Sequence, residues 1–238
     1  MDIHKPKPIH NFREFLKEVG TIVLGVCIAL AAEQSVEMLH NRSRATESRE
    51  SVHAEIARNL ALMEEREKFE YCVKMRLEEV EKLVAASAAG QKLPDTIWLG
   101  RPDGFLMQDG KYKSALASGN ASLFNEHEQA AYADLYAAFS NYMQTVLDEQ
   151  KTWASLRVLE KHPAPSQALD WQLRNTLQQA RFDSFFIQLG RRVSLQDGAA
   201  IDVKPGRGRA VSMPPTICLP LNTARENVQK ARGGIDQP

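Results

Sequence analysis

The sequence predicts an all-α protein in which one N-terminal transmembrane helix continues into a soluble antiparallel helical bundle, followed by an irregular C-terminal tail. Three observations predict it. Val19 to Ala32 is an uninterrupted uncharged run bounded by Lys17-Glu18 and Glu33. From Ser35 to about Ala88 there is neither proline nor glycine, and Val52, Ile56, Leu60 and Met63 recur at helical spacing. Two later stretches repeat that spacing behind N-cap residues, whereas glycine and proline break the pattern after Gly198.

The first element turns on length. A spanning helix needs about 20 mostly apolar residues, and the uncharged run alone falls short. Phe12, Phe15 and Leu16 before it and Val36 and Leu39 after it extend the pattern. Residues 15–36 are therefore assigned as a transmembrane signal anchor in contact with the lipid bilayer, and residues 1–14 as a short cytoplasmic N-terminus. The rival is a secretory signal peptide, with Lys5, Lys7 and Arg13 as its basic region, Thr21 to Leu30 as its apolar region and Ala29-Leu-Ala31 as its cleavage motif. Cleavage there yields a secreted helical protein. Glu14 and Glu18 stand where a signal peptide is usually basic, and the helical pattern runs past the motif, so the uncleaved anchor is favoured. A buried core helix ranks third, because the run is apolar on every face. Lys5, Lys7, Arg13 and Lys17 precede the segment, whereas Arg42, Arg44 and Arg49 follow it. This excess predicts a cytoplasmic N-terminus and a body outside the cytoplasm. Thr21, Gly25 and Ala29 repeat every four residues, and small side chains let two such helices approach closely. They form the candidate helix-association face of a homodimer, although such residues are also simply common in membrane segments.

Residues 37–51 read as a polar helical stalk, His40 to Glu50 having almost no apolar face, and residues 52–198 as the helical bundle. The stripe continues through Val73, Leu77, Val80 and Val84 until Gly90 ends it. Residues 90–110 form a long loop whose Ile97, Trp98, Leu99, Phe105 and Leu106 are expected to pack down onto the body. Lys111 to Ser118 is a short helix stopped by Gly119-Asn120. Asn125, with Glu128 three residues on, caps a helix reaching about Leu159, one face of which carries Tyr132, Tyr136, Phe139, Met143, Val146 and Trp153. Beyond Pro163 and Pro165, Ser166 caps a last helix running from Leu169 through Phe182, Phe185, Phe186 and Leu189 to Val193, with Gly190 weakening it without ending it. Residues 199–238 are the irregular tail, including the basic turn Lys204 to Arg209, Pro214-Pro215, and a brief helix over Asn222 to Arg232.

Thirty basic and thirty acidic residues cancel, so no overall field recruits nucleic acid. None of the six histidines falls in an H-E-x-x-H pattern, and there is no G-x-S-x-G elbow, phosphate loop or dinucleotide fingerprint. Asp103-Gly and Asp109-Gly lack the alternating acids of a calcium loop. No catalytic, cofactor-binding or metal-ligating residue is assigned, and the chain is read as a protein that is not an enzyme and takes no cofactor. Lys204, Arg207 and Arg209 near Arg191-Arg192 make the one basic cluster, read as a solvated loop rather than an anionic-lipid site. Cys27 lies in the apolar run, leaving Cys72 and Cys218 as the thiols of the soluble part. In an oxidising compartment these are expected to pair, since Ile217-Cys218-Leu219 is an apolar island with little else to hold it.

Phe12 to Leu30, then Glu55-Ile-Ala-Arg-Asn-Leu60, then Tyr112-Lys-Ser-Ala-Leu-Ala-Ser-Gly119 followed by Leu135-Tyr136 resemble, in this order, a group of uncharacterised bacterial single-pass inner-membrane proteins carrying a domain of unknown function. The resemblance runs to about Leu159, rests on hydrophobic patterns, and is most specific at the Ser-Gly stretch. It implies an uncleaved anchor in a bacterial inner membrane and a helical domain in the periplasm, and supplies no activity or ligand. The expectation is a membrane-anchored, non-enzymatic periplasmic protein that binds an unknown envelope protein or scaffolds an envelope assembly. The alternative is a small-molecule sensor bundle, against which 18 residues before the apolar run are too few for an output module.

Overall fold

A computed structural model describes residues 12–207, 216–224 and 227 of the 238-residue chain. Among them every regular element is helical and there is no strand. Residues 1–11 of the expected N-terminal segment 1–14, Arg209, Pro214-Pro215 and most of the brief helix expected over 222–232 lie outside the described residues, while residues 12–14 already belong to the first helix.

Helix α1, Phe12–Glu67, has 56 residues, an axial length of about 84 Å at about 1.5 Å per residue. Its first half stands out from the body: no residue of its apolar window is buried, and the first buried position is Ala45. From there Val52, Ile56, Leu60 and Met63 face the interior. Helix α2, Glu70–Ala88, follows after two residues. The single helix expected from Ser35 to about Ala88 is therefore two. Neither glycine nor proline marks the break. The dihedrals of Phe69 (φ −108°, ψ 2°) absorb it, while Phe69 N–H still donates to Arg66 O and Val73 N–H to Phe69 O, both at 3.2 Å. Backbone hydrogen bonding thus carries across, and α1 with α2 makes one long interrupted rod.

The chain then returns along this rod without regular structure. Leu93, Ile97 and Leu99 are buried, as the loop's apolar content requires, but Leu106 is exposed. Gln150 Nε2 donates to Pro102 O at 2.7 Å, Gln108 N–H donates to Asn59 Oδ1 at 2.9 Å, and Lys111 N–H donates to Glu55 Oε2 at 2.9 Å. Rising loop numbers meet falling rod numbers. The loop thereby delivers α3, Gly110–Ala117, and a 3₁₀ turn, Asn120–Leu123, to the end of the body nearest the bare half of α1. Asn120 Nδ2 donates to Ser48 Oγ at 3.1 Å, so the outer half of the expected stalk already packs against the body.

Helix α4, Glu126–Leu156, starts there behind a full capping box of Asn125 and Glu128. A 3₁₀ turn, Arg157–Lys161, leads to α5, Gln167–Ala200, capped by Ser166. Arg49 pairs with Glu128 and Arg66 with Glu149, so α4 climbs in the same direction as α1. Helix α5 descends: Arg181 pairs with Glu81 and Arg191 with Glu67. Two glycines let α5 approach its neighbours. A Cβ at Gly190 would stand 3.2 Å from the Tyr142 ring, and one at Gly198 would stand 2.6 Å from Leu60 Cδ1. Residues 201–207 stay on the body, with Val203 buried and Gly206 N–H donating to Ala57 O at 2.8 Å.

The core divides in two. One apolar cluster joins Val52 to Met63 of α1 with Tyr132 to Val146 of α4 and Ile187 of α5. The other joins Val73 to Val84 of α2 with Trp153 and Leu156 of α4 and Leu173 to Ala180 of α5. Arg66, Glu70, Glu149, Thr152, Asp183 and Ser184, all buried, fill the interval on every rod.

Candidate functional site

Chemistry in this molecule is concentrated at the bare half of α1, in the polar layer between the two cores, and where the C-terminal segment is fastened.

On α1, Ile22, Leu24 and Ile28 each expose about three fifths of their surface. Thr21, Gly25 and Ala29 lie among them, and nothing lies within 4 Å of a Cβ built at Gly25. The Thr21 hydroxyl donates to Lys17 O at 2.8 Å, so it is satisfied within its own helix. The structure brings no partner to this face, and Cys27 is an exposed free thiol.

The polar layer is a buried ionic network. Arg66, 1% exposed, donates from Nη2 to Glu149 Oε1 at 2.9 Å and from Nη1 to Glu70 Oε2 at 3.4 Å. The other Glu70 oxygen accepts from Ser184 Oγ at 2.9 Å, and Asp183 accepts from Thr152 Oγ1 at 2.8 Å and Gln179 Nε2 at 2.8 Å. Burial pushes the Glu149 carboxyl up to about 7, against the pull of the Arg66 charge; Glu70 and Asp183 push it further up. Burial likewise raises the Tyr142 hydroxyl beside it. Glu149 Oε2, Arg66 Nε, Tyr142 Oη and Trp153 Nε1 are buried without a hydrogen-bond partner among the described residues. Such groups carry a desolvation cost, and the layer ties three rods into one axial register.

Just beyond the polar layer, Cys72 in the first turn of α2 and Cys218 are joined in a disulfide, Cα–Cα 5.0 Å, across 146 residues of sequence. Next to it the buried Arg76 guanidinium donates to the carbonyls of Trp98, Leu99 and Leu219 and pairs through Nε with Glu79 at 2.7 Å. Trp98 Nε1 donates to Thr216 O at 3.1 Å. Gly100, at φ +67°, sits so close to Thr216 that a Cβ would meet its carbonyl oxygen at 2.6 Å, which is why this turn takes glycine.

The polar groups around α3 and the start of α4 serve packing. Glu55 accepts from Lys111 N–H, Tyr112 N–H and Tyr136 Oη, closing the start of α3. His53 Nε2 and Tyr132 Oη lie 2.7 Å apart; burial lowers the imidazole and pushes the phenol up to about 12. The Arg49 hydrogen bond holds Glu128 below the usual carboxylate range. The aromatic face of α4 is core, with Tyr132, Tyr136, Phe139 and Trp153 buried. Of the basic cluster, Arg191 is committed to Glu67 at 3.1 Å. Among the described residues no three His, Cys, Asp or Glu converge as a metal set.

The ionic layer is what sequence reading passes over. Its signal is a charge inside an apolar stripe: Glu149 falls between Val146 and Trp153, and Arg66 and Glu70 flank the junction of two long apolar patterns. A scan against protein-family models gave no match, and searches of the curated proteins and of the solved structures gave none.

Proposed function

We propose that this chain is a single-pass, membrane-anchored, non-enzymatic protein of a bacterial inner membrane, whose helical bundle stands in the periplasm and binds another protein or scaffolds an envelope assembly. The observation that carries the reading is the run over residues 19–32 of α1, apolar on every side with none of its window buried, continuous in one helix with a folded body. A core helix is covered by its own chain; this one is not, and hydrocarbon is the environment that accepts it at least cost. Helical continuity through Ala31 supports the uncleaved form, since a cut there would divide α1 within the helix. The basic excess before the run supports a cytoplasmic N-terminus.

Alkaline phosphatase fused after Pro238 is expected to be active in cells, and the protein to stay with membranes at alkaline pH. Activity only from a cytoplasmic reporter reverses the orientation; recovery of a soluble chain beginning at Ala32 replaces the anchor by a signal peptide.

A further inference from the structure

On the face of α5 turned away from the core, Phe182, Phe186, Leu189 and Val193 are 56%, 39%, 38% and 41% exposed, with Phe185 beside them at 61%. Their rings touch, Phe182 to Phe186 at 4.4 Å between centroids and Phe185 to Phe186 at 5.4 Å. Spacings of four, three and four residues are those of a coiled-coil seam, alternating d and a positions. We infer that this seam is the interface with a second copy of the chain, packed with the two α5 helices parallel and related by a two-fold axis.

Three arguments select this occupant. The first is area. With about 200 Å² for a fully exposed aromatic side chain and somewhat less for Leu and Val, the patch offers roughly 450 Å² of apolar surface. That matches the apolar share of the roughly 800 Å² that each partner contributes to a stable interface, and is the size of the largest contiguous patch on a monomer, which often marks a functional surface. The second is charge. In a parallel pair a g residue faces the e residue five positions on in the partner. Here that pair is Arg192 and Asp197, opposite in sign and neither ion-paired among the described residues. A self-complementary contact of this kind closes as a dimer instead of propagating. The third is orientation, which rests on the proposed anchor: two copies rooted in one bilayer from the same side present α5 in the same direction.

The test uses the full chain in membranes with Cys27→Ser. Leu189→Cys is expected to form a covalent dimer under mild oxidation, and Tyr71→Cys, 70% exposed on α2, is not. Adding Phe186→Glu to Leu189→Cys should reduce the cross-link at least tenfold. Arg192→Asp should weaken it, and Arg192→Asp with Asp197→Arg should restore it. Equal cross-linking at Leu189 and Tyr71, or an adduct with a chain of another mass, overturns the second-copy assignment; failure of the charge swap to restore the cross-link overturns the parallel geometry. Alkaline extraction of the same membranes reports on the anchor separately, so a released protein that still cross-links counts against the anchor alone.

Discussion

Replacing Arg66 with Met is expected to destabilise the folded chain by about 3–5 kcal/mol at pH 8, the scale for removing one partner of a buried ion pair, and by distinctly less at pH 5. Methionine fills the volume but removes the cation that faces Glu149 and Glu70. At pH 8 the variant must either keep two carboxylates in the interior near Asp183 or take up a proton. At pH 5 Glu149, already raised to about 7 by burial, carries that proton in both proteins, so less is lost. The same group gives the wild type its own slope. A carboxyl whose folded pKa lies above its unfolded value stabilises the fold fully below the unfolded value, here 4.5, and loses that contribution as pH rises through about 7. The span corresponds to roughly 3 kcal/mol. Glu149→Gln is expected to flatten it. Urea denaturation of the full chain in detergent at both pH values is the measurement; an Arg66→Met loss that is the same at pH 5 and pH 8 would mean that lost packing, not charge, sets the effect.

Removing the Cys72–Cys218 bridge, by reduction or by Cys72→Ser, is expected to cost about 4–5 kcal/mol, because the closed loop is long and its closure restricts the unfolded chain. The sequence separation of 146 residues places it at the top of that scale. For a chain of this size such a loss lowers the melting temperature by roughly 10–20 °C. The loss begins locally. Residues 216–224 are held by the bridge, by Ile217 in the second core, by the Arg76 carbonyl clamp and by Leu221 O accepting from Trp98 N–H at 2.6 Å. Limited proteolysis of the reduced protein should therefore free this segment before the helices are cut. Equal melting curves with and without reductant would show that the clamp alone suffices.

These two sites differ in how they are written in the chain. Cys72 and Cys218 announce themselves by scarcity, and the apolar run, the Asn125 and Ser166 caps and the stripes of α2, α4 and α5 follow from periodicity, which is local. The break at Phe69 is not local: no glycine or proline stands there, and the interruption makes sense only once Glu149 and Ser184 arrive from α4 and α5 to meet Arg66 and Glu70. The course of α4 was hidden for the same reason. Nothing in residues 90–110 states that the loop runs the length of the rod and so turns α4 to climb beside α1; that follows from Asn59 and Glu55, which receive it. The exposed seam is legible as an apolar, aromatic stretch of the last helix, but periodicity reports that a face is apolar and not which neighbour covers it.

The uninterrupted course of α1 sets a clearance. From Glu33 to Ala45 the helix climbs about 18 Å, and from Glu33 to Glu67 about 50 Å, at about 1.5 Å per residue, and Arg191 fixes the α5 seam beside Glu67. A body on a flexible tether sweeps a volume and meets whatever enters it, whereas one on a stiff post is held at one altitude. With α1 rooted in a bilayer as proposed, small proteins lying against the membrane pass beneath, and a membrane-rooted companion must rise to the same storey to touch the upper half. Inserting seven residues near Arg42 raises the body by about 10 Å at nearly the same azimuth, while inserting two turns it by about 200°, so the pair of insertions separates a requirement for height from one for facing.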